Sequence, residues 1–263
     1  MPQLSVFIIT KNEARDITAC LESLRDLADE IVVVDDHSTD ETVSLCRQQR
    51  ARVFARSLDG FGAQKQFALE QTTGDWAFSI DADERVSPAL AREIRSVVDS
   101  NPPQAGFEVR RNFYFLGRLL RHGGLGRDWV LRLIRRGQGR FRNVRVHERL
   151  EVDGEIRRLT HPLEHYSYAN LEEYVEKCNH YTSLATQDLW HRGRRFSWLD
   201  HLRPAWELFA RVALRGAWLD GQPGLMYAAL SAHAAWLRAV KLWEMETKEV
   251  LPLPKLGEAG TGD

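Results

Sequence analysis

The chain has 263 residues, 43% of them apolar and 28% charged, with a formal net charge of −1. This is the composition of a soluble globular protein, with core enough for two domains or for one domain and an appendage. It excludes the global basic field that a nucleic-acid partner would require. Cys20, Cys46 and Cys178 are far apart and form no C-x-x-C pair. They read as buried thiols on the apolar sides of helices in a reducing compartment, not as metal ligands. Met1 runs into an apolar strand without a basic-then-apolar leader, so nothing signals secretion and a cytoplasmic location is expected.

The first half alternates strand and helix. Leu4 to Thr10 is a continuous apolar run, as in a strand covered on both faces. Asn12 is a candidate cap for a helix whose buried stripe is Ile17, Cys20, Leu21 and Leu24. Ile31 to Val34 is a second buried strand, ending in Asp35-Asp36-His37-Ser38-Thr39-Asp40. Ser38 with Glu41 has the spacing of a capping box, which predicts a helix start there. Arg52 to Ala55 is a third strand, and Gly60 and Gly62 precede a helix with Phe67 and Ala68 inward. Trp76 to Ile80 is a fourth strand, running straight into Asp81-Ala82-Asp83-Glu84. Ser87-Pro88 opens a further helix whose inner face is Leu90, Ile94, Val97 and Val98.

Such repetition predicts an α/β fold with a mainly parallel sheet and helices on both faces. Right-handed crossovers bring the strands' C-terminal ends to one edge. There Thr10-Lys11-Asn12-Glu13, Asp35 to Asp40 and Asp81 to Glu84 meet. Paired carboxylates at a turn suit a hard divalent cation that also holds a diphosphate. An isolated Asp-x-Asp reads equally as a solvated acidic turn; the coincidence of three polar clusters on one edge favours a site. An EF-hand is excluded, because Arg85 stands where an oxygen ligand is needed.

After Asn101-Pro102-Pro103 the pattern changes. Gly106 to Asn112, Asp128 to Arg135, Phe141 to Val146 and Leu150 to Leu159 read as strands, the last broken by an Asp153-Gly154 turn. Gly117 to Gly126 reads as a mobile loop whose Arg118, Arg121 and Arg127 face phosphate, an acidic acceptor or only solvent. From Asn170, a cap paired with Glu173, the chain is helical, with further helices over Leu199 to Trp218 and Gly224 to Lys248. The expected division is a domain over 1–168 and a helical region over 169–263, with a disordered Gly-rich tail from Leu256. Six tryptophans lie between Trp190 and Trp243, and from His191 to Trp243 eight Arg or Lys face three Asp or Glu. Two readings stand for these helices: peripheral attachment to an anionic membrane, or a subdomain whose aromatics fill its own core. Leu225 to Leu237 is uncharged but too short to span a bilayer.

Phe7-Ile8-Ile9-Thr10-Lys11-Asn12-Glu13, Ile31 to Asp40 and Asp75 to Arg85 occur in an order that resembles the family 2 glycosyltransferases of the GT-A fold. More narrowly, with Gly62-Ala63-Gln64-Lys65-Gln66 and Val146-His147-Glu148, they resemble bacterial lipopolysaccharide inner-core β-1,4-glucosyltransferases. One departure is His37, where that family's Asp-x-Gly-Ser-Thr-Asp turn has Gly. The resemblance implies inverting transfer from a nucleotide sugar, such as UDP-glucose, to a hydroxyl acceptor. The expected acceptor is lipopolysaccharide inner core or another lipid-linked saccharide, and the Trp-rich basic helices give the expected place as the cytoplasmic face of a membrane.

For the residues, the resemblance implies a donor pocket made by Thr10, Asn12, Glu13, Asp35, Ser38, Lys65, Asp81 and Ala82. It implies a divalent metal, Mg²⁺ or Mn²⁺, on Asp81 and Asp83, Asp83 the firmer ligand, with His165 third and His161 its rival. Glu148 is the expected general base, with Asp128 second. Glu84 lies too close to the metal pair to serve. A sugar nucleotidyltransferase is discounted, since Thr10 to Glu13 lacks the Gly-rich loop of that class. A non-catalytic scaffold is disfavoured by intact Asp81, Asp83 and Glu148.

Overall fold

The computed structural model describes residues 1–142 and 149–250, and divides into two compact units, Met1–Ala169 and Asn170–Asp263. The expected strand segment 143–146, Glu148 and the Gly-rich tail lie outside the described residues.

The first unit begins β1 (Leu4–Thr10), α1 (Ala14–Ser23), β2 (Glu30–Asp35), α2 (Thr42–Gln48), β3 (Arg52–Ala55), α3 (Phe61–Glu70) and β4 (Trp76–Ser79). It continues with β5 (Glu84–Val86), α4 (Pro88–Ser100), β6 (Gly106–Phe115), β7 (Arg118–Leu120), β8 (Trp129–Arg135) and β9 (Gly139–Arg142). It ends with β10 (Arg149–Val152), β11 (Ile156–Arg158) and β12 (Leu163–Tyr168). The main sheet runs β3-β2-β1-β4-β8-β6-β12-β5, with β7 and β11 on β6, and β9 and β10 form a separate pair. The strands β3, β2, β1 and β4 are mutually parallel, as expected. Beyond β4 the sheet is mixed, beginning with antiparallel β8.

Alternation within the strands builds two apolar layers. Leu4, Val6 and Ile8 pack with Ile17, Cys20 and Leu21 of α1 and with Leu90, Ile94 and Val98 of α4. Phe7, Val32, Val34 and Ala77 pack with Ala68 and Leu69 of α3 on the other face. Each Val, Leu, Ile or Phe among them contributes about 1.5–3 kcal/mol when fully buried. Trp76 is wholly buried, with Arg135 over its ring at 4.6 Å. The three thiols are free and buried, and burial pushes Cys46 up to about 12.

Several local expectations are corrected. Asn12 does not cap α1: it is left-handed, φ 54°, and its side-chain oxygen accepts from Thr39 N instead. Ser38 does not cap α2, because its hydroxyl donates to Asp35; the helix starts at Thr42, whose N–H donates to Asp40 at 3.0 Å. The loop expected over Gly117 to Gly126 contains β7, paired to β6. Leu150 to Leu159 is not one broken strand: β10 pairs with β9, while β11 joins the main sheet on β6. Gly154 between them has φ 147°, and a Cβ there would stand 2.7 Å from that of Ala105.

The second unit contains α5 (Leu171–His191), α6 (Arg203–Phe209) and α7 (Gly221–Val250). Asn170 caps α5 as expected, accepting from Glu173 N at 2.8 Å. The helix expected over Leu199 to Trp218 is instead a 3₁₀ turn at Trp198–Leu202, α6, a π turn at Ala210–Leu214 and a 3₁₀ turn at Ala217–Asp220. α7 starts at Gly221, before the expected Gly224. Small side chains fill this unit: Cys178, Thr182 and Thr186 on α5, and Ala228, Ala232, Ala235 and Ala239 on α7. Lys241 Nζ of α7 donates to Asn179, Thr182 and Ser183 of α5 at 2.7–2.8 Å. Among the described residues, no helix is long and apolar enough to cross a membrane.

Candidate active site

The pairing of Thr10 with Asp35 brings the loops after β1 and β2 side by side. Asp36 N donates to Thr10 O at 2.9 Å, Asn12 N to Ser38 Oγ at 2.8 Å, and Glu13 N to Thr42 Oγ1 at 2.8 Å. Asp35 is buried and accepts from the Ser38 N–H at 2.8 Å and from its hydroxyl at 2.5 Å. Asp36 accepts from Lys11 Nζ at 2.7 Å and Leu58 N at 3.0 Å, and these bonds lower its carboxyl from the usual range. His37 has φ 50°. The turn therefore keeps a left-handed residue where the family has Gly, at a cost of roughly 1–2 kcal/mol, and the His37 ring lies 3.0 Å from Ser57 Oγ.

Beyond β4 the carboxylates sort into two groups. Lys65 of α3 lies 3.0 Å from Asp81, and Arg132 of β8 bridges Asp81 at 2.6 Å and Glu84 at 2.7 Å. Arg111 of β6 continues from Glu84, at 3.5 Å, to Asp128, at 2.6 Å. Lys65–Asp81–Arg132–Glu84–Arg111–Asp128 is thus an alternating chain of three cations and three carboxylates. Burial pushes the Asp81 carboxyl up, but Arg132 and Lys65 outweigh it and hold the group well below the usual carboxylate range. Burial likewise opposes the charge on Arg132, and Asp81 and Glu84 outweigh it in turn. The Asp81 N–H donates to Glu84 at 2.9 Å, which fixes the turn.

Asp83 stands outside this chain. Its carboxylate is 3.3 Å from His165 Nε2 on β12, and its carbonyl accepts from Tyr166 N at 2.9 Å. The pairing of β12 with β5 sets His165 opposite Glu84 and so beside the acidic turn. His161 is elsewhere, bonded to Glu93 at 2.8 Å. Among the described residues no three His, Cys, Asp or Glu side chains form a ready metal cluster. Asp83 and His165 come together, whereas Asp81 is engaged by Lys65 and Arg132. Among the described residues, Thr10 Oγ1, Arg132 Nε and His165 Nδ1 are buried without a hydrogen-bond partner, and all three belong to this edge.

The remaining expected residues fall as follows. Ala82 is buried and its carbonyl accepts from Arg85 at 2.8 Å. Asp128 accepts twice from Arg111 on one oxygen. Glu148 lies outside the described residues. Arg132, Arg111 and the structural part played by Glu84 were not anticipated. A lone arginine inside the apolar strand Trp129 to Ile134 is the signal that pointed to a buried charge in need of partners.

The model of the family described as Glycosyl transferase family 2 matches residues 5–150. The chain belongs to this family. The lipopolysaccharide core biosynthesis glycosyltransferase LpsC of Rhizobium meliloti is 34% identical over 259 residues, 95% of each chain. An uncharacterized glycosyltransferase of Rickettsia typhi, RT0209, is 30% identical over 94% of this chain and 89% of its own. Among solved structures, glucosyl-3-phosphoglycerate synthase from Mycobacterium tuberculosis with Mn²⁺ and UDP-glucose shares 23% identity over 42% of this chain and 44% of its own, at a TM-score of 0.37. A likeness that slight carries no argument about site or substrate. This family 2 glycosyltransferase has the mixed α/β sheet of the GT-A class followed by a helical region.

Proposed function

We propose that this glycosyltransferase moves a hexose, glucose from UDP-glucose first among the candidates, to a saccharide hydroxyl with inversion, the acceptor being lipopolysaccharide inner core or another lipid-linked saccharide. The observation that carries this reading is the Asp83–His165 pair beside a charge-balanced ion-pair chain. Asp83 is the carboxylate of the acidic turn that no fixed Arg or Lys neutralises among the described residues. The pair fits a divalent cation, Mg²⁺ or Mn²⁺, which takes one or two protein ligands and fills its other positions with phosphate oxygens and water. The nitrogen that faces Asp83 is His165 Nε2, which also lies 3.0 Å from Ser167 Oγ. When bound, such a cation offsets the charge that grows on the leaving diphosphate.

The chain's own groups do the rest. Thr10, Asn12, Glu13, Asp35, Ser38 and Ala82 line the nucleotide pocket. Lys65 and Arg132 hold Asp81 ionised and in place beside it. Glu148 removes the proton from the acceptor hydroxyl. Asp128 is the second choice, since Arg111 already occupies one of its oxygens.

The test is thermal shift with UDP-glucose, UDP-galactose, UDP-GlcNAc and ADP-heptose, with and without Mg²⁺ or Mn²⁺, beside a transfer assay. A ligand that binds the folded state raises its melting temperature. The shift should require the cation and vanish in Asp83→Asn, with transfer falling by about a hundredfold or more. Glu148→Gln should keep the shift and lose about a hundredfold in turnover. Full transfer in excess EDTA would overturn the metal reading. Loss in Asp128→Asn with normal Glu148→Gln would move the base to Asp128. Neither donor hydrolysis nor transfer, with binding retained, would favour a non-catalytic scaffold.

A further inference from the structure

We propose that the segment between Trp198 and Leu219 is a membrane-interfacial surface, seated in the headgroup zone of an anionic bilayer without crossing it. The inference goes beyond the transfer reaction and stands whatever the donor. It starts from an inversion inside the second unit. The buried positions there are held mainly by alanines, threonines and a cysteine. The large side chains are outside: Trp198 is 70% exposed, Trp206 61% and Trp218 58%. Leu202, Phe209 and Leu214 are each more than half exposed as well. Single exposed apolar residues are ordinary, but a concentration of this kind marks an interaction surface.

The charge identifies what covers it. From Asp188 to Asp220 six arginines stand against four acids, and Arg192 is bonded to Asp188. Asp200 is buried, bonded to Arg194 and Arg203, and Glu207 is bonded to Arg211. The outward face is therefore tryptophan, leucine and net positive charge, the combination that settles amphipathic segments on anionic lipid. A second copy of the chain is the wrong partner. A two-fold interface would set this arginine-rich patch against itself, and like charges brought face to face are repelled. A run broken into 3₁₀, α and π turns is also no spanning helix, whereas a segment lying in the plane of the interface needs no continuous apolar helix.

Flotation of the full chain with phosphatidylcholine–phosphatidylglycerol vesicles tests this. The protein should float at low salt, stay behind with phosphatidylcholine alone, and be released as salt rises. Trp206→Ala with Trp218→Ala should lower the bound fraction at least roughly tenfold, with an unchanged circular dichroism spectrum. Arg195→Glu with Arg215→Glu should weaken binding to the anionic vesicles while leaving the aromatics in place. Ile156→Ala, an exposed apolar residue of the first unit, should change nothing. Absence of flotation at low salt, or flotation untouched by both double variants, would overturn the proposal. So would a dimer in light scattering that the tryptophan variant dissociates, which would assign the face to a second copy.

Discussion

Trp76 and Trp206 are the same side chain in opposite circumstances. The first is wholly enclosed between the sheet and its helices, and the second is 61% exposed. The first unit packs large side chains against a sheet whose pleat spaces them. The second packs alanine and threonine faces of α5 and α7, which lets two helices approach closely. The difference teaches that a tryptophan-rich composition does not locate a core. The geometry of the packed elements decides which sizes fit inside.

The largest effect should come from Trp76→Ala, which leaves a cavity under the sheet and should cost about 3–5 kcal/mol in urea unfolding. A loss below about 1 kcal/mol would mean that the layer can collapse around the gap. Arg132→Leu should follow at roughly 3 kcal/mol, because Asp81 keeps only Lys65, and the fully buried Glu84 only Arg111 at 3.5 Å, as a cationic partner. Transfer should fall with it, and a variant that melts normally would show the ion-pair chain to be dispensable for folding.

Glu30 sharpens the contrast within the first unit, at the edge opposite the acidic turn. Burial pushes its carboxyl up, but bonds from Ser5, Thr73 and Arg52 outweigh this and lower it. Its contribution is therefore full above the ordinary value, about 4.3 for an unfolded Glu, and is lost as pH falls through the lowered one. Glu30→Gln should be less stable than the parent by about 2 kcal/mol at neutral pH. The gap should close on acidification below about pH 4, read from melting curves across pH. The smallest effect should be that of Trp206→Ala, within about 0.5 kcal/mol. A loss as large as that of Trp76→Ala would abolish the comparison.

Much of this was legible in the residues because local rules agreed with the final packing. Leu4 to Thr10 and Ile31 to Asp35 are apolar runs too short for helices, and Ser87-Pro88 and Asn170 carry their caps openly. Asp83 and His165 were named from a resemblance, and the structure sets them 3.3 Å apart. Arg132 was not named, because its partners lie on the turn after β4 and no sequence spacing encodes the pairing of β4 with β8. Asn12 and Ser38 misled for a related reason: each has the chemistry of a helix cap, yet Asn12 found its partner on the neighbouring loop and Ser38 in Asp35 of its own turn. The break-up of Leu199 to Trp218 into turns of different pitch left no mark in its apolar spacing.

The position of β12 between β6 and β5 also sets an order in time. A chain growing from its N-terminus has Asp81 and Asp83 in place long before His165 is made. Until then β5 has no neighbour in the sheet and β6 keeps an open edge, the kind of edge that recruits stray strands. Pairings between segments so distant in sequence are also the slow ones. The Asp83–His165 pair is thus completed by the last strand of its unit, so a nascent or truncated first unit ending before β12 lacks the imidazole at its acidic turn.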